Sequence, residues 1–266
     1  GGNIVVYWGQ GGSDNSEGSL KEACKSGHYN MIVLEELITY DNGRDPDLNL
    51  GAHCVNCTSL QQEIKYCQLK LIKILLQIGQ VTPTKEDTKD TTKDLSQYLD
   101  SNFFSGKSGP LGEVYLDGID IASVPEGLNL KFDELVQALN DSATSRRIYL
   151  SASPNCVYPD YYLDKAIQTQ KLDFLFVQFF YALPCIYTQG LPEDLFQAMK
   201  TWTSNVPESK IFMALPATPD LNGYIPPRVL NKEILPAVTQ ASNFAGVMIF
   251  DRYFDRFRKY SSKIKR

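Results

Sequence analysis

Short apolar segments recur along the chain, and polar or amphipathic segments separate them. Eight of these segments are rich in β-branched and aromatic residues, at positions 3–9, 30–37, 71–79, 113–121, 147–153, 172–180, 210–217 and 244–250. Segments between them have helical periodicity, such as 60–71 and 132–140. Nearly continuous apolar strands covered by helices are typical of a parallel sheet that is buried on both faces.

Eight β-then-α units in 266 residues predict an α/β fold, a single (β/α)8 TIM barrel over residues 1–266. The segment WGQGGS after the first strand lacks the G-x-G-x-x-G spacing, which disfavours a doubly wound dinucleotide-binding fold. The polar run 82–94 is predicted to be a loop that leads into a helix, whose packed face starts with Leu95, Tyr98 and Leu99.

Composition narrows the range of partners. The net charge of −5 argues against a nucleic-acid ligand, and no apolar run approaches the ~20 residues that span a bilayer. Basic residues concentrate only near the C-terminus, where interspersed acidic residues favour a solvated last helix over a polyanion site. They are Arg252, Arg256, Arg258, Lys259, Lys263, Lys265 and Arg266.

The six cysteines indicate disulfides, although six cysteines allow 15 pairings. They are Cys24, Cys54, Cys57, Cys67, Cys156 and Cys185. A zinc or redox site at Cys54-Val-Asn-Cys57 would need further ligands, and His28 and His53 are the only histidines. We therefore expect no metal and no cofactor. Sequons at Asn56 and Asn140, with a chain that starts in strand-like residues, favour a processed protein of the secretory route, secreted or vacuolar.

In a TIM barrel the functional residues lie at the C-terminal ends of the strands. In this chain those positions are dominated by aromatic and amide side chains, which suit the faces and hydroxyl groups of sugar rings. Aromatic residues at strand ends can equally serve only to cap the barrel core.

Several long motifs resemble plant class III chitinases, within the family 18 glycoside hydrolases. In order, they are VYWGQ…EGSL, LDGID, NCVYPD, FVQFF…PC, LPATPDLNGYIPP and GVMIF, and together they span nearly the whole chain. The resemblance implies the barrel fold and the disulfide pairs Cys24–Cys67, Cys54–Cys57 and Cys156–Cys185.

The chemistry implied by the family is retaining and substrate-assisted, because the N-acetyl oxygen of the substrate attacks the anomeric carbon. It uses a Glu and an Asp from the motif D-G-x-D-x-D-x-E and a Tyr after strand six. Here Ala122 stands in place of the assisting Asp, Val124 in place of the acid, and Phe180 in place of the Tyr. General acid catalysis contributes about 10²–10⁴-fold and needs a group that carries a proton. The resemblance therefore predicts a protein without chitinase activity.

Two sites are candidates for a relocated carboxylate. Glu126 follows the motif and shares strand parity with Val124, but Pro125 interrupts pairing before it. Glu35 and Glu36 end the second strand, where alternation would direct at most one of them to the mouth. We interpret the carboxyl groups at both sites as solvated loop charges. Residual hydrolase activity is the less favoured hypothesis.

The sugar-contact positions of the family are carried over residue by residue, together with departures in the same cleft. The candidates are Tyr7, Gln10, Gln80, Asp120, Glu126, Gln178, Phe180, Tyr181 and Phe250. They favour a chitinase-like lectin that binds N-acetylglucosamine or short chitin oligosaccharides. Two alternatives remain: an inhibitor of a foreign xylanase or α-amylase, acting through runs 84–94 and 251–266 on the barrel exterior, or a storage protein.

Overall fold

Eight parallel strands form a closed barrel in the computed structural model, which describes residues 2–11, 14, 16–87, 90–142, 146–181 and 183–265. Each strand pairs in parallel with the next, and the last pairs with the first. The strands are β1 (Asn3–Trp8), β2 (Met31–Tyr40), β3 (Lys73–Thr82), β4 (Gly118–Ala122), β5 (Tyr149–Ser153), β6 (Phe174–Gln178), β7 (Lys210–Pro216) and β8 (Phe244–Phe250). The predicted TIM barrel is confirmed.

Helices follow the strands and cover the outside of the barrel. They are α1 (Leu20–Lys25), α2 (Gln61–Leu69), α3 (Thr91–Phe103), α4 (Phe132–Ser142), α5 (Asp164–Gln168), α6 (Glu193–Asn205), α7 (Pro227–Val229), α8 (Leu235–Val238) and α9 (Arg252–Arg258). Short 3₁₀ turns lie at Gly51–His53, Cys57–Leu60 and Ser261–Lys263, and a π-helical turn, Leu230–Ile234, joins α7 to α8. Leu95 and Leu99 of α3 are buried and Tyr98 is half-buried, so the packed face lies where the sequence predicts it.

Strand alternation divides the core into two layers. Residues such as Val5, Val33 and Phe176 fill the barrel interior, whereas their strand neighbours Val6 and Ile32 pack between the sheet and the helices. A residue that points inward near the C-terminal end of a strand therefore lies at the mouth of the barrel.

The fourth strand is shorter than the apolar run 113–121 predicts. Gly112–Glu113 instead pairs with Ser108–Gly109 in a separate hairpin, and β4 begins at Gly118. Val114 and Leu116 are buried, and the Leu116 amide donates to the Phe103 carbonyl oxygen at the end of α3. This apolar stretch thus packs under the barrel rather than in the sheet.

Strands β2 and β3 are longer than predicted and continue beyond the barrel rim. They remain paired as far as Tyr40 and Thr82, and the short strand Asp47–Leu48 pairs antiparallel with β2. The carboxylate of buried Asp41 accepts hydrogen bonds from the Leu128 and Asn129 amides, at 2.7 and 2.8 Å. These bonds attach the loop after β4 to the extended β2–β3 ribbon.

Three disulfides connect the pairs that the family resemblance implies, Cys24–Cys67, Cys54–Cys57 and Cys156–Cys185. The first joins α1 to α2, and the third joins the loops that follow β5 and β6. The cysteine prediction is therefore confirmed in full.

The C-terminal segment is a helix, as expected, but it is not solvated throughout. Arg252 and Asp255 are buried, and both hydrogen-bond the hydroxyl group of Tyr29. Asp255 also accepts hydrogen bonds from Ser261. These contacts hold α9 against the start of the barrel, and Arg266 lies outside the described residues.

The described residues contain neither a membrane-spanning helix nor a cluster of metal-binding side chains. No helix there is both long and apolar enough to cross a bilayer. Nor do three or more His, Cys, Asp or Glu side chains of these residues come together as metal ligands would.

Candidate functional site

A chain of hydrogen bonds crosses the top of the barrel interior. Gln178 Nε2 donates to the Tyr7 hydroxyl (3.2 Å), which is 2.6 Å from Ser153 Oγ, and Ser153 donates to Asp120 (2.7 Å). Ser151 Oγ and Gln77 Nε2 also donate to Asp120, at 2.6 and 2.8 Å. Five strands contribute to this network, because inward positions at one level of a barrel face one another.

The Asp120 carboxylate is the centre of this network and is fully buried. Burial raises its pKa, while the hydrogen bonds from Ser151, Gln77 and Ser153 oppose that rise. Three donors satisfy most of the acceptor capacity of an ionised carboxylate, so the network compensates for the cost of desolvation. Asp120 therefore supports the floor of the mouth from below.

Aromatic side chains form the neighbouring part of the floor. Phe180 and Phe250 stack with ring centroids 4.9 Å apart, and the Tyr181 ring lies 6.3 Å from that of Phe250. Phe180 is buried, Phe250 is half-buried, and Tyr181 is 53% exposed. The Tyr181 backbone is left-handed, with φ at 64°, a conformation that costs about 1 kcal/mol or more for a non-glycine residue.

Burial divides the candidate sugar contacts into two groups. Tyr7, Asp120 and Phe180 are at most 1% exposed, and a sugar contact at these three residues stays a prediction. Gln178 and Phe250 are half-buried, and Gln10, Gln80 and Tyr181 are exposed. Sequence parity identifies inward positions correctly, but it does not distinguish the buried layer from the layer above it.

Glu126 does not point its carboxylate at the motif positions. The carboxylate accepts a hydrogen bond from the Phe132 amide at the start of α4 (2.9 Å) and lies 3.4 Å from Lys131 Nζ. A carboxylate at this position is stabilised by the helix dipole. The described contacts of the Glu126 carboxylate are therefore with the start of α4, and a sugar contact at Glu126 stays a prediction.

The motif positions themselves carry no proton-donating groups. Ala122 and Val124 are half-buried, and Val124 packs against the apolar core. Between them, Ser123 Oγ donates to Asp160 (2.7 Å), which also accepts from three backbone amides of the loop after β5. The hydroxyl of this segment therefore has a structural partner.

Gln10 and Gln80 use their amide groups to fix the rim. Gln10 Nε2 donates to the carbonyl oxygens of Glu35 (2.9 Å) and Asn49 (2.8 Å). Gln80 Nε2 donates to Glu36 Oε1 (2.8 Å). Both side chains are exposed at the rim.

Glu35 and Glu36 do not obey strict alternation, because the β2–β3 register shifts between Glu35 and Leu37. Glu35 has the same parity as inward-facing Val33, and Glu36 lies against Gly79, which has no side chain to exclude it. The expectation that at most one of these carboxyl groups reaches the mouth is therefore wrong. Burial raises the pKa of Glu36, and the hydrogen bond from Gln80 opposes this.

Glu35 is the most strongly perturbed carboxyl group at the mouth. Burial raises its pKa well above the ordinary range, and the negative charges of Asp251, Glu36, Glu17 and Asp120 raise it further. Burial also raises the pKa of Asp251 to about 6. The sequence gives one signal for Glu35, its inward parity with Val33, which the solvated-loop interpretation overlooked.

The carboxylate of Glu17 fixes the loop after β1 through hydrogen bonds. Its Oε1 accepts from the Gly9 and Gly11 amides and from His53 Nε2 (2.6 Å), while His53 stacks on Trp8 at 3.9 Å. Glu17 is fully buried. This contact fixes one side of the rim to the Cys54–Cys57 turn.

Both sequons lie on the surface. Asn56 is exposed, and its Oδ1 accepts from the Thr58 amide and hydroxyl groups, at 3.1 and 2.8 Å. Asn140 is exposed near the end of α4. Exposure is the geometric requirement for modification, and glycosylation of either residue stays a prediction.

These features define a (β/α)8 barrel of the glycoside hydrolase type, with a polar and aromatic mouth. The acidic endochitinase of Cicer arietinum is 39% identical over 272 residues, which are 98% of this chain and 90% of that protein. The chain belongs to the plant acidic endochitinase family, within the family 18 glycoside hydrolases. No family model matches the chain.

Two similar solved structures belong to proteins with different functions. A chitinase from Ipomoea carnea is 35% identical, covers 98% of each chain and has a TM-score of 0.88. A xylanase and α-amylase inhibitor protein from Scadoxus multiflorus is 32% identical, covers 99% of this chain and 98% of its own, and has a TM-score of 0.89. The same fold thus supports both a hydrolase and a hydrolase inhibitor.

Proposed function

We propose that this protein is a chitinase-like lectin, which binds N-acetylglucosamine or short chitin oligosaccharides at the C-terminal mouth of the barrel without cleaving them. The observation that carries this proposal is the exposed Tyr181 ring beside half-buried Phe250 at the mouth. An aromatic side chain held exposed in a strained backbone conformation is typical of a ligand contact.

In this proposal, the protein does not cleave the bound sugar because of the residues at its motif positions. Ala122, Val124 and Phe180 have no group that carries or orients a proton, and Glu126 is engaged at the start of α4. The buried network around Asp120 is retained because it supports the floor, independently of the reaction. As part of the same proposal, the protein is a secreted or vacuolar glycoprotein with a defence or seed storage role.

Substitution of Tyr181 tests the binding mode. Tyr181→Ala is expected to weaken chitotriose binding about tenfold, ~1.4 kcal/mol, because an exposed aromatic contact is lost. Calorimetric titration measures the affinity. Tyr115→Ala is a matched control, since Tyr115 is 41% exposed but precedes β4 at the opposite end of the barrel. Equal affinities for both variants would contradict a contact at Tyr181.

Inhibition of a foreign hydrolase is the second candidate, because similar structures include a xylanase and α-amylase inhibitor protein. The described part of run 84–94 is largely exposed and charged, and Thr88 and Lys89 lie outside the described residues. A standard protein interface buries about 1,600 Å² in total. Xylanase and α-amylase assays with a stoichiometric excess of this protein distinguish the two functions, since a lectin leaves both activities unchanged.

A further inference from the structure

Glu35 has the strand parity of inward-facing Val33, so it occupies an inward position at the mouth. Its backbone pairs in register with Gln77, which in turn pairs with Asp120, so the three residues form one lateral row across β2, β3 and β4. Gln77 and Asp120 are buried and hydrogen-bonded to each other, whereas Glu35 is half-buried. Glu35 is thus the member of the row with surface facing the cleft.

The surroundings of Glu35 favour its neutral form. The charges that act on it most strongly are all negative: Asp251 at the end of β8, Glu36 beside it on β2, Glu17 in the loop after β1, and Asp120 on β4. Like charges in a partly dry site disfavour ionisation, and burial adds to the effect. Burial raises the pKa of Tyr7 and Tyr181, and the negative charge of Glu35 adds to the rise in both.

A neutral carboxyl group has a capacity that an ionised one lacks. A carboxylate only accepts hydrogen bonds, whereas the protonated group also donates one. The acetamide carbonyl oxygen of an N-acetylated sugar only accepts. Strand β1 lies between β2 and β8 in the barrel, and its Tyr7 ring is 6.2 Å from the Phe250 ring. The aromatic side chains of Phe250 and Tyr181, with ring centroids 6.3 Å apart, form one surface beside β1. They provide an apolar surface for the acetamide methyl group.

We propose that Glu35 recognises the acetamide group of the bound sugar by donating a hydrogen bond from its protonated carboxyl group, so that sugar affinity decreases as Glu35 ionises. This inference rests on the proposed lectin function and adds a specificity-determining residue to it. Glu35 is distinct from the motif positions, and its role here is to bind the sugar without transferring a proton.

The direct test is calorimetric titration with chitotriose between about pH 4.5 and pH 8. Wild-type affinity is expected to fall at least about tenfold with rising pH, since the donor is replaced by a charged acceptor. Glu35→Gln retains an N–H donor at every pH and should bind with little pH dependence. Glu134→Gln, an exposed change on α4, is the control and should keep the wild-type profile.

Asp251 is the neighbouring group that could produce a similar profile. Asp251→Asn removes a negative charge that acts on Glu35, so the fall in affinity should persist but move to lower pH, because the loss of a like charge lowers the pKa of Glu35. Loss of the profile in Asp251→Asn, with its retention in Glu35→Gln, would overturn the inference.

Two further outcomes separate the inference from the function. Wild-type binding that is equally tight across the range, and unchanged in Glu35→Gln, would overturn the role of Glu35 while leaving the lectin function intact. Absence of binding at every pH would overturn both. Carboxyl-carbon NMR of Glu35 in the sugar-free protein provides an independent reading, and a titration midpoint at the ordinary value of about 4.3 would overturn the inference alone.

Discussion

Three carboxyl groups at the mouth, two of them buried and one half-buried, differ in what surrounds them. Asp120 accepts hydrogen bonds from three side chains, which offset its desolvation. Asp251 accepts one from the Phe254 amide and caps α9. Glu35 is surrounded mainly by negative charge. The partners of each group, rather than burial alone, thus determine how readily it ionises.

Asp251 should make the folded protein less stable as pH rises. Its pKa is raised from 3.8 to about 6, so the folded state holds a proton that the unfolded state releases. The contribution of Asp251 to the free energy of unfolding is fully present below about pH 4 and is lost as pH rises through about 6. A difference of about two pKa units corresponds to about 3 kcal/mol as an upper bound.

Urea unfolding of Asp251→Asn at about pH 4 and pH 7 measures this contribution. The variant should lose less unfolding free energy than wild type over that range, because Asn also caps helices but does not titrate. Asp90→Asn is a matched control, since Asp90 caps α3 through the Lys93 amide and is exposed. The same pH dependence in wild type and Asp251→Asn would refute the assignment.

At the level of elements, the sequence predicts all eight barrel strands because their apolar runs are long and separated by helical periodicity. It misplaces the start of β4, since Val114 and Leu116 are as apolar as strand residues but pack beneath the barrel. It also misjudges Glu35 and Glu36, because a register shift in β2 is set by pairing with β3 and leaves no mark in the alternation of residues. The cysteine pairs were predictable only through the family resemblance, since spacing alone leaves 15 choices.

The disulfides should contribute unequally to stability. Cys24–Cys67 spans 43 residues and joins α1 to α2, whereas Cys54–Cys57 spans three residues. In the chain-entropy model, removing the longer link costs about 4 kcal/mol and removing the shorter one about 2 kcal/mol. Urea unfolding of the paired alanine variants measures both costs, and a larger loss from the Cys54–Cys57 pair would refute this order.

At the scale of the whole molecule, the parts of the barrel that stabilise the fold differ from the rim residues of the candidate site. Helices and disulfides secure the outer layer, and the hydrogen-bonded floor around Asp120 closes the interior beneath the mouth. The rim above that floor carries Tyr181, Glu35 and the amides of Gln10 and Gln80. Ala122 and Val124 lie at the end of β4 and in the loop after it, where Val124 packs against the apolar core. Which candidates are buried and which are exposed depends on depth along the barrel axis, and the sequence pattern carries no measure of that depth.

The most direct test of the account is ligand-observed saturation-transfer NMR with chitotriose, followed in one tube for a day. We predict saturation of the N-acetyl and ring signals while the trimer stays intact. The Tyr181→Ala variant should show reduced transfer under the same conditions. Release of shorter sugars would contradict the absence of turnover, and no transfer at millimolar trimer would contradict sugar binding at the mouth.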